Sequence, residues 1–149
     1  MRAVIQRVSH AQVVVEDQII GKIEKGIMVL VGFKQGDDEK TMEYMLEKIT
    51  KLRIFEDEND KMNLSLSDVK GGLLIVPNFT LYGDCRKGRR PSYSTGAPVV
   101  EAEGLFNQFI DKAKESYVTV QTGQFRAHME VTLTNDGPVT LLLDSDKEF

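Results

Sequence analysis

The chain has 149 residues, 41% hydrophobic and 28% charged, with a formal net charge of −4, which is the size and composition of one globular domain that folds without a metal or disulfide staple. The single cysteine, Cys85, excludes an internal disulfide and fits a reducing compartment. No stretch approaches the roughly 18 apolar residues of a membrane helix and the N-terminus carries no signal-peptide pattern, so a cytoplasmic protein with no membrane partner is expected.

In chain order, residues 2–8 (RAVIQRV) read as a strand. Val13, Val14 and Val15, then Ile19, Ile20 and Ile23, flank the polar turn Glu16-Asp17-Gln18 and suggest a hairpin. Ile27 to Phe33 is a continuous apolar run after Gly26, which fits a buried strand. Over 38–52 the period changes. Met42, Met45, Leu46, Ile49 and Leu52 share one helical face, behind a cap at Asp37 or Asp38. This stripe reads as core packing, and Glu56 to Lys61 as a solvated loop.

Gly71-Gly72 marks a turn before the strand LLIVPNFTLY, which ends in the loop GDCRKGRRPSYSTGAP. A second helix spans about 99–115, with Ala102, Leu105, Phe106, Phe109 and Ala113 inward. Val118 to Thr122 reads as a strand, and Met129, Val131 and Leu133 alternate along another. Asn135-Asp136-Gly137 is a turn signal before Pro138 and the strand Val139 to Leu143. The sum over 1–149 is one α+β domain, a mostly antiparallel sheet curling toward a barrel with two helices. Strands and helices do not alternate as a Rossmann-like fold requires.

The two histidines, His10 and His128, lie far apart in sequence without a ligand at close spacing, so no metal site is expected. There is no GxSxG elbow and no P-loop. Cys85 has cationic neighbours but no evident His partner, and reads as a loop thiol. Arg86, Lys87, Arg89 and Arg90 put four cations within five residues. They form either a phosphate-binding patch or a solvated turn. Two segments resist ordinary packing. Pro77-Asn78-Phe79-Thr80-Leu81 places a proline in an apolar strand, the mark of a bent edge or of a bulge with exposed main-chain groups. Gly137 before Pro138 joins the most permissive backbone to the most restricted, as a plain trans turn or as a rigid cis claw.

Taken together, MRAVIQRVSHAQVVV, IMVLVGF, LLIVPNFTLYGDCRKGRRPSYSTGAP and TGQFRAHMEVTLTNDGPVTLLL resemble the D-aminoacyl-tRNA deacylase family over nearly the whole chain. The resemblance implies a cofactor-free homodimeric hydrolase acting on aminoacylated tRNA. It would cut the ester of D-aminoacyl-tRNA, let glycyl-tRNA through, and reject L forms. It implies that Gly137–Pro138 is cis and reaches into the neighbouring subunit's site. The family's strand motif is Ser-Gln-Phe-Thr, and this chain has Pro77-Asn78-Phe79-Thr80. Asn78, Phe79 and Thr80 are the catalytic candidates on that match, but neither the Ser hydroxyl nor the Gln amide is present. The resemblance further implies that Phe125 and Met129 hold the terminal adenine and that the tRNA's own ribose hydroxyl assists catalysis. Thr80 as a covalent nucleophile is the competing mechanism. A pure RNA-binding module and a hydrolase of small D-amino-acid esters are the competing functions.

Overall fold

The computed structural model describes residues 1–117 and 119–149. β1 (Arg2–Val15) is one long strand, spanning both the expected first strand and the first arm of the expected hairpin. Glu16 and Asp17 at its end have φ of 49° and 61°, the positive values a tight hairpin turn needs. The chain then returns as β2 (Gln18–Ile23) and β3 (Gly26–Gly32). α1 (Glu39–Lys51) starts at Asp38, whose carboxylate accepts the Thr41 N–H at 2.9 Å. It buries the expected Met42, Met45, Leu46 and Ile49.

The segment expected to be only a charged loop is flanked by a small hairpin, β4 (Phe55–Glu56) and β5 (Met62–Leu64). One further helical turn, α2 (Leu66–Val69), follows, with Ser65 and Asp68 capping it reciprocally. Four residues are too few to show a hydrophobic period, so this turn is absent from the pattern reading. Then come β6 (Gly72–Pro77), a 3-10 turn (Phe79–Tyr82), α3 (Val99–Ser116), β7 (Val120–Thr122) and β8 (Glu130–Asp144). Val118, the first residue of the strand expected at 118–122, lies outside the described residues.

The main sheet runs β2-β1-β3-β6-β7, and β8 pairs with β1. Residues 2–8 of β1 pair with β3 and residues 11–15 with β2, so one strand turns the sheet's corner. Pairing is antiparallel except that β6 runs parallel to β3 and β7. β2 closes round toward β7: a Cβ on Gly21 would meet the Thr122 carbonyl oxygen at 2.6 Å. The sheet is therefore nearly a barrel.

Alternation along the strands sorts two cores. Ile27, Val29, Val31, Leu73 and Ile75 pack with Met42, Ile49, Phe106 and Phe109 from the helices. Met28, Leu74 and Val76 join Val8, Val13 and Ile23, flanked by half-buried Met129, Val131 and Leu133. Each fully buried side chain of this kind contributes about 1.5–3 kcal/mol.

β8 corrects the sequence reading at one place. Asn135-Asp136-Gly137 does not turn the chain into a hairpin. The strand continues along β1, from Val14↔Glu130 to Arg2↔Asp144. Gln6 pairs with Thr140 and Val8 with Asn135, so Asp136 to Val139 bulge out opposite Arg7 alone. Among the described residues no helix is long and apolar enough to cross a membrane.

Candidate functional site

A cleft of about 810 Å³ opens where β6 ends. Asn78 and Phe79 line one side, Tyr93, Ser94 and Gly96 to Val99 another, and Phe125 to Met129 a third. The structure thus brings together four of the expected site residues: Asn78, Phe79, Phe125 and Met129. Thr80 follows on the same turn but does not line the cleft. The four cations and Gly137–Pro138 lie elsewhere on the chain.

Pro77 is neither on an edge strand nor at a bulge. β6 lies between β3 and β7, and Pro77 is its last residue. The β7 ladder stops at Ile75↔Thr122, while the next N–H, that of Asn78, still reaches the Val31 carbonyl at 2.7 Å. Neighbouring residues of a strand point their N–H groups to opposite sides, so Pro77 lacks its N–H where β7 has already ended. No ladder bond is lost.

Beyond Pro77 the chain tightens into the 3-10 turn. The Asn78 side-chain oxygen accepts the Thr80 N–H at 3.1 Å and the Thr80 hydroxyl at 2.5 Å. Asn78 therefore acts as an N-cap, and the Thr80 hydroxyl donates to an amide oxygen rather than to a base. Among the described residues, the N–H of Phe79, first in the turn, has no intramolecular acceptor. The first N–H groups of a helical turn are left unpaired by its geometry. This one sits between two cleft-lining residues.

Phe125 and Met129 serve the core and the cleft together. The Phe125 ring stacks on Phe106, with centroids 6.0 Å apart at 30°, and both Phe125 and Met129 are half-buried against the cores. The Met129 sulfur accepts the Gln124 N–H at 3.4 Å. Both residues therefore line the cleft while packing against the cores.

The basic loop is built on a short stem. Asp84 and Ser92 exchange two main-chain hydrogen bonds, at 2.7 and 3.0 Å. Arg86 folds back on Asp84, with its Nε at 2.9 Å and a terminal nitrogen at 2.7 Å. The guanidinium holds the Asp84 carboxyl well below the usual carboxylate range. The charge of Arg86 is thus committed. Lys87, Arg89 and Arg90 are exposed, and among the described residues no carboxylate pairs with them. Cys85 is exposed on the same loop.

The bulge in β8 is anchored by a residue that pattern reading missed. Arg7 is only 4% exposed. Its Nε donates to the Asp136 carbonyl at 2.8 Å, and a terminal nitrogen to the Ile54 carbonyl at 2.7 Å. The Asn135 amide donates to the carbonyls of Arg7 at 2.9 Å and Val139 at 3.0 Å. The Gly137–Pro138 peptide between them is cis. The available signal was an arginine inside the apolar strand RAVIQRV, since a buried guanidinium must find acceptors. Among the described residues, no three His, Cys, Asp or Glu side chains come together as metal ligands would.

A family model described as D-Tyr-tRNA(Tyr) deacylase matches residues 4–144. A protein of Clostridioides difficile (strain 630) called D-aminoacyl-tRNA deacylase is 60% identical over 149 residues, covering 100% of both chains. One of the same name from Thermosipho africanus (strain TCF52B) is 59% identical at the same coverage. A solved structure described as "c-Myc DNA Unwinding Element Binding Protein" superposes with a TM-score of 0.92 at 39% identity, over 97% of this chain and 98% of that one. A probable eukaryotic D-amino acid tRNA deacylase shares the fold, with a TM-score of 0.79 at 18% identity over 95% and 97% of the two chains.

Proposed function

The chain belongs to the D-Tyr-tRNA(Tyr) deacylase family, and from that premise we propose that it hydrolyses the ester of D-aminoacyl-tRNA, and of glycyl-tRNA, in the cleft beside Phe79. The observation that carries the mechanism is the unpaired Phe79 N–H at the cleft wall. Attack of water on the ester carbonyl develops an oxyanion, and a fixed main-chain donor stabilises that charge by roughly 3–4 kcal/mol. The terminal adenine lies against Phe125 and Met129, where an aromatic face can stack on it. The vicinal ribose hydroxyl helps to activate the water. Thr80 is not the nucleophile, because its hydroxyl donates to the Asn78 amide oxygen and, among the described residues, bonds to no base.

Loss of the family's Ser and Gln side chains leaves this mechanism intact. Asn78 keeps the turn capped, and the Phe79 donor belongs to the backbone. Lys87, Arg89 and Arg90 contact tRNA phosphates, while Arg86 shapes the loop.

Chirality is set by exclusion. Gly137 and Pro138 sit in a bulge tied down by Arg7 and Asn135, and a rigid obstacle near the α-carbon rejects an L side chain. Glycine, with none, passes. The bulge does not line its own chain's cleft, so it serves the cleft of a second copy in a homodimer. β8 supports such an assembly: it pairs only with β1 among the described residues, and it leaves Leu141 36% and Leu142 57% exposed. The protein acts in the cytoplasm, where tRNA is charged and used.

The test is hydrolysis of D-Tyr-tRNA and L-Tyr-tRNA by purified protein. A large preference for the D ester is expected. Equal rates on both would remove the exclusion mechanism, and binding without turnover would leave a nucleic-acid-binding module.

A further inference from the structure

Phe79 is 64% exposed and Tyr93 41% exposed. Their rings meet edge to face, with centroids 5.1 Å apart at 68°. Both line the cleft. Tyr93 is seated against Gly83, where a Cβ would come within 3.1 Å of its Cε1. It directly follows Ser92, the residue that closes the stem of the basic loop. Two exposed aromatic rings in contact, next to a cleft and three residues from Arg90, are not explained by the core.

We infer that Phe79 and Tyr93 form a stacking platform for a second base, that of the nucleotide preceding the terminal adenosine. The inference rests on the deacylase reading and adds to it a recognised second nucleotide. Leading away from the scissile ester, a single-stranded RNA end presents a terminal base, a preceding base and then further phosphates. The cleft carries the ring pair in its wall, and from Tyr93 the chain leads back through Arg90, Arg89 and Lys87 of the basic loop. Aromatic faces take up successive bases of a single strand with little regard to sequence, and nearby cations take up the phosphates.

The experiment compares D-tyrosyl-tRNA with D-tyrosyl-adenosine, which lacks the second base. Tyr93→Ala and Tyr93→Leu should each lower kcat/KM on the tRNA ester about tenfold more than on the adenosine ester. Tyr93→Phe, which keeps the flat ring, should not. Leu matters because it keeps bulk without an aromatic face. A 2-aminopurine replacing the preceding base of the tRNA should change its fluorescence on binding wild type and Tyr93→Phe, but not on binding Tyr93→Ala. If the wild type cleaved neither ester, the deacylase reading would fall and take the platform with it. If it cleaves both and Tyr93→Ala penalises them equally, or neither, the platform alone is overturned, and Tyr93 is only a wall of the cleft.

Discussion

Two prolines interrupt this sheet, and the chain around them is built in opposite ways. Pro77 ends an interior strand, and the turn after it leaves the Phe79 N–H unpaired beside the cleft. Pro138 sits in a bulge whose flanking main-chain carbonyls are claimed by Arg7 and Asn135. One segment presents a donor, and the other presents a fixed shape. The first suits chemistry and the second suits exclusion, so damage to each should look different.

The sharpest way to break the contrast is to delete the donor. Phe79 is the first residue of its turn, and Asn78 before it is extended, at φ −149° and ψ 94°. Proline is tolerated at such a position, so Phe79→Pro removes the N–H with little damage to the fold. A fall of about 10²–10³ in kcat is expected. Phe79→Ala keeps the N–H and should lose much less, and equal losses in single-turnover assays would show that only the ring matters.

The next effect belongs to the bulge. A Cβ on Gly137 would lie 2.4 Å from both the Val139 nitrogen and the Asn135 side-chain oxygen, so Gly137→Ala forces the loop to shift. A loss of about 10²-fold is expected, the scale of a misplacement of around 1 Å at a reacting centre, with a smaller preference for D over L esters. Full activity and chirality in that variant would show that the loop's shape is irrelevant.

Arg7→Ala should register mainly in stability. It strips the carbonyls of Ile54 and Asp136 of their donor, and leaving the buried Ile54 group unpaired costs about 1–3 kcal/mol. Denaturant unfolding checks this, and an unchanged midpoint would mean that water replaces the guanidinium.

Thr80→Ala is the smallest change. It deletes a hydroxyl that, among the described residues, donates to Asn78 alone, so a reduction of a few-fold at most is expected, in line with a lost hydrogen bond of about 1 kcal/mol. A trapped acyl group on Thr80 would reverse the assignment.

The contrast between the prolines also marks what the sequence could tell. Helix α1 was legible because its core stripe and the Asp38 cap are local. The cleft residues Asn78, Phe79, Phe125 and Met129 were legible through resemblance. The role of Pro77 was not, because it depends on where β7 stops. The bulge was not legible either, because Asn-Asp-Gly is the same turn signal in a hairpin and in a bulge. Only pairing with β1, across more than a hundred residues of chain, distinguishes them. Arg7 was hidden for the same reason, since its acceptors at Ile54 and Asp136 come from distant segments.

Mixing two damaged chains tests the central claim that donor and bulge act together across two subunits. One chain carries Phe79→Pro and the other Gly137→Ala, each nearly inactive alone. Unfolded and refolded together, they should form mixed dimers in which one site pairs an intact donor with an intact bulge, and about half of the wild-type activity per mixed dimer should return. If mixed dimers form and stay as inactive as the separate chains, the bulge does not serve the partner's cleft.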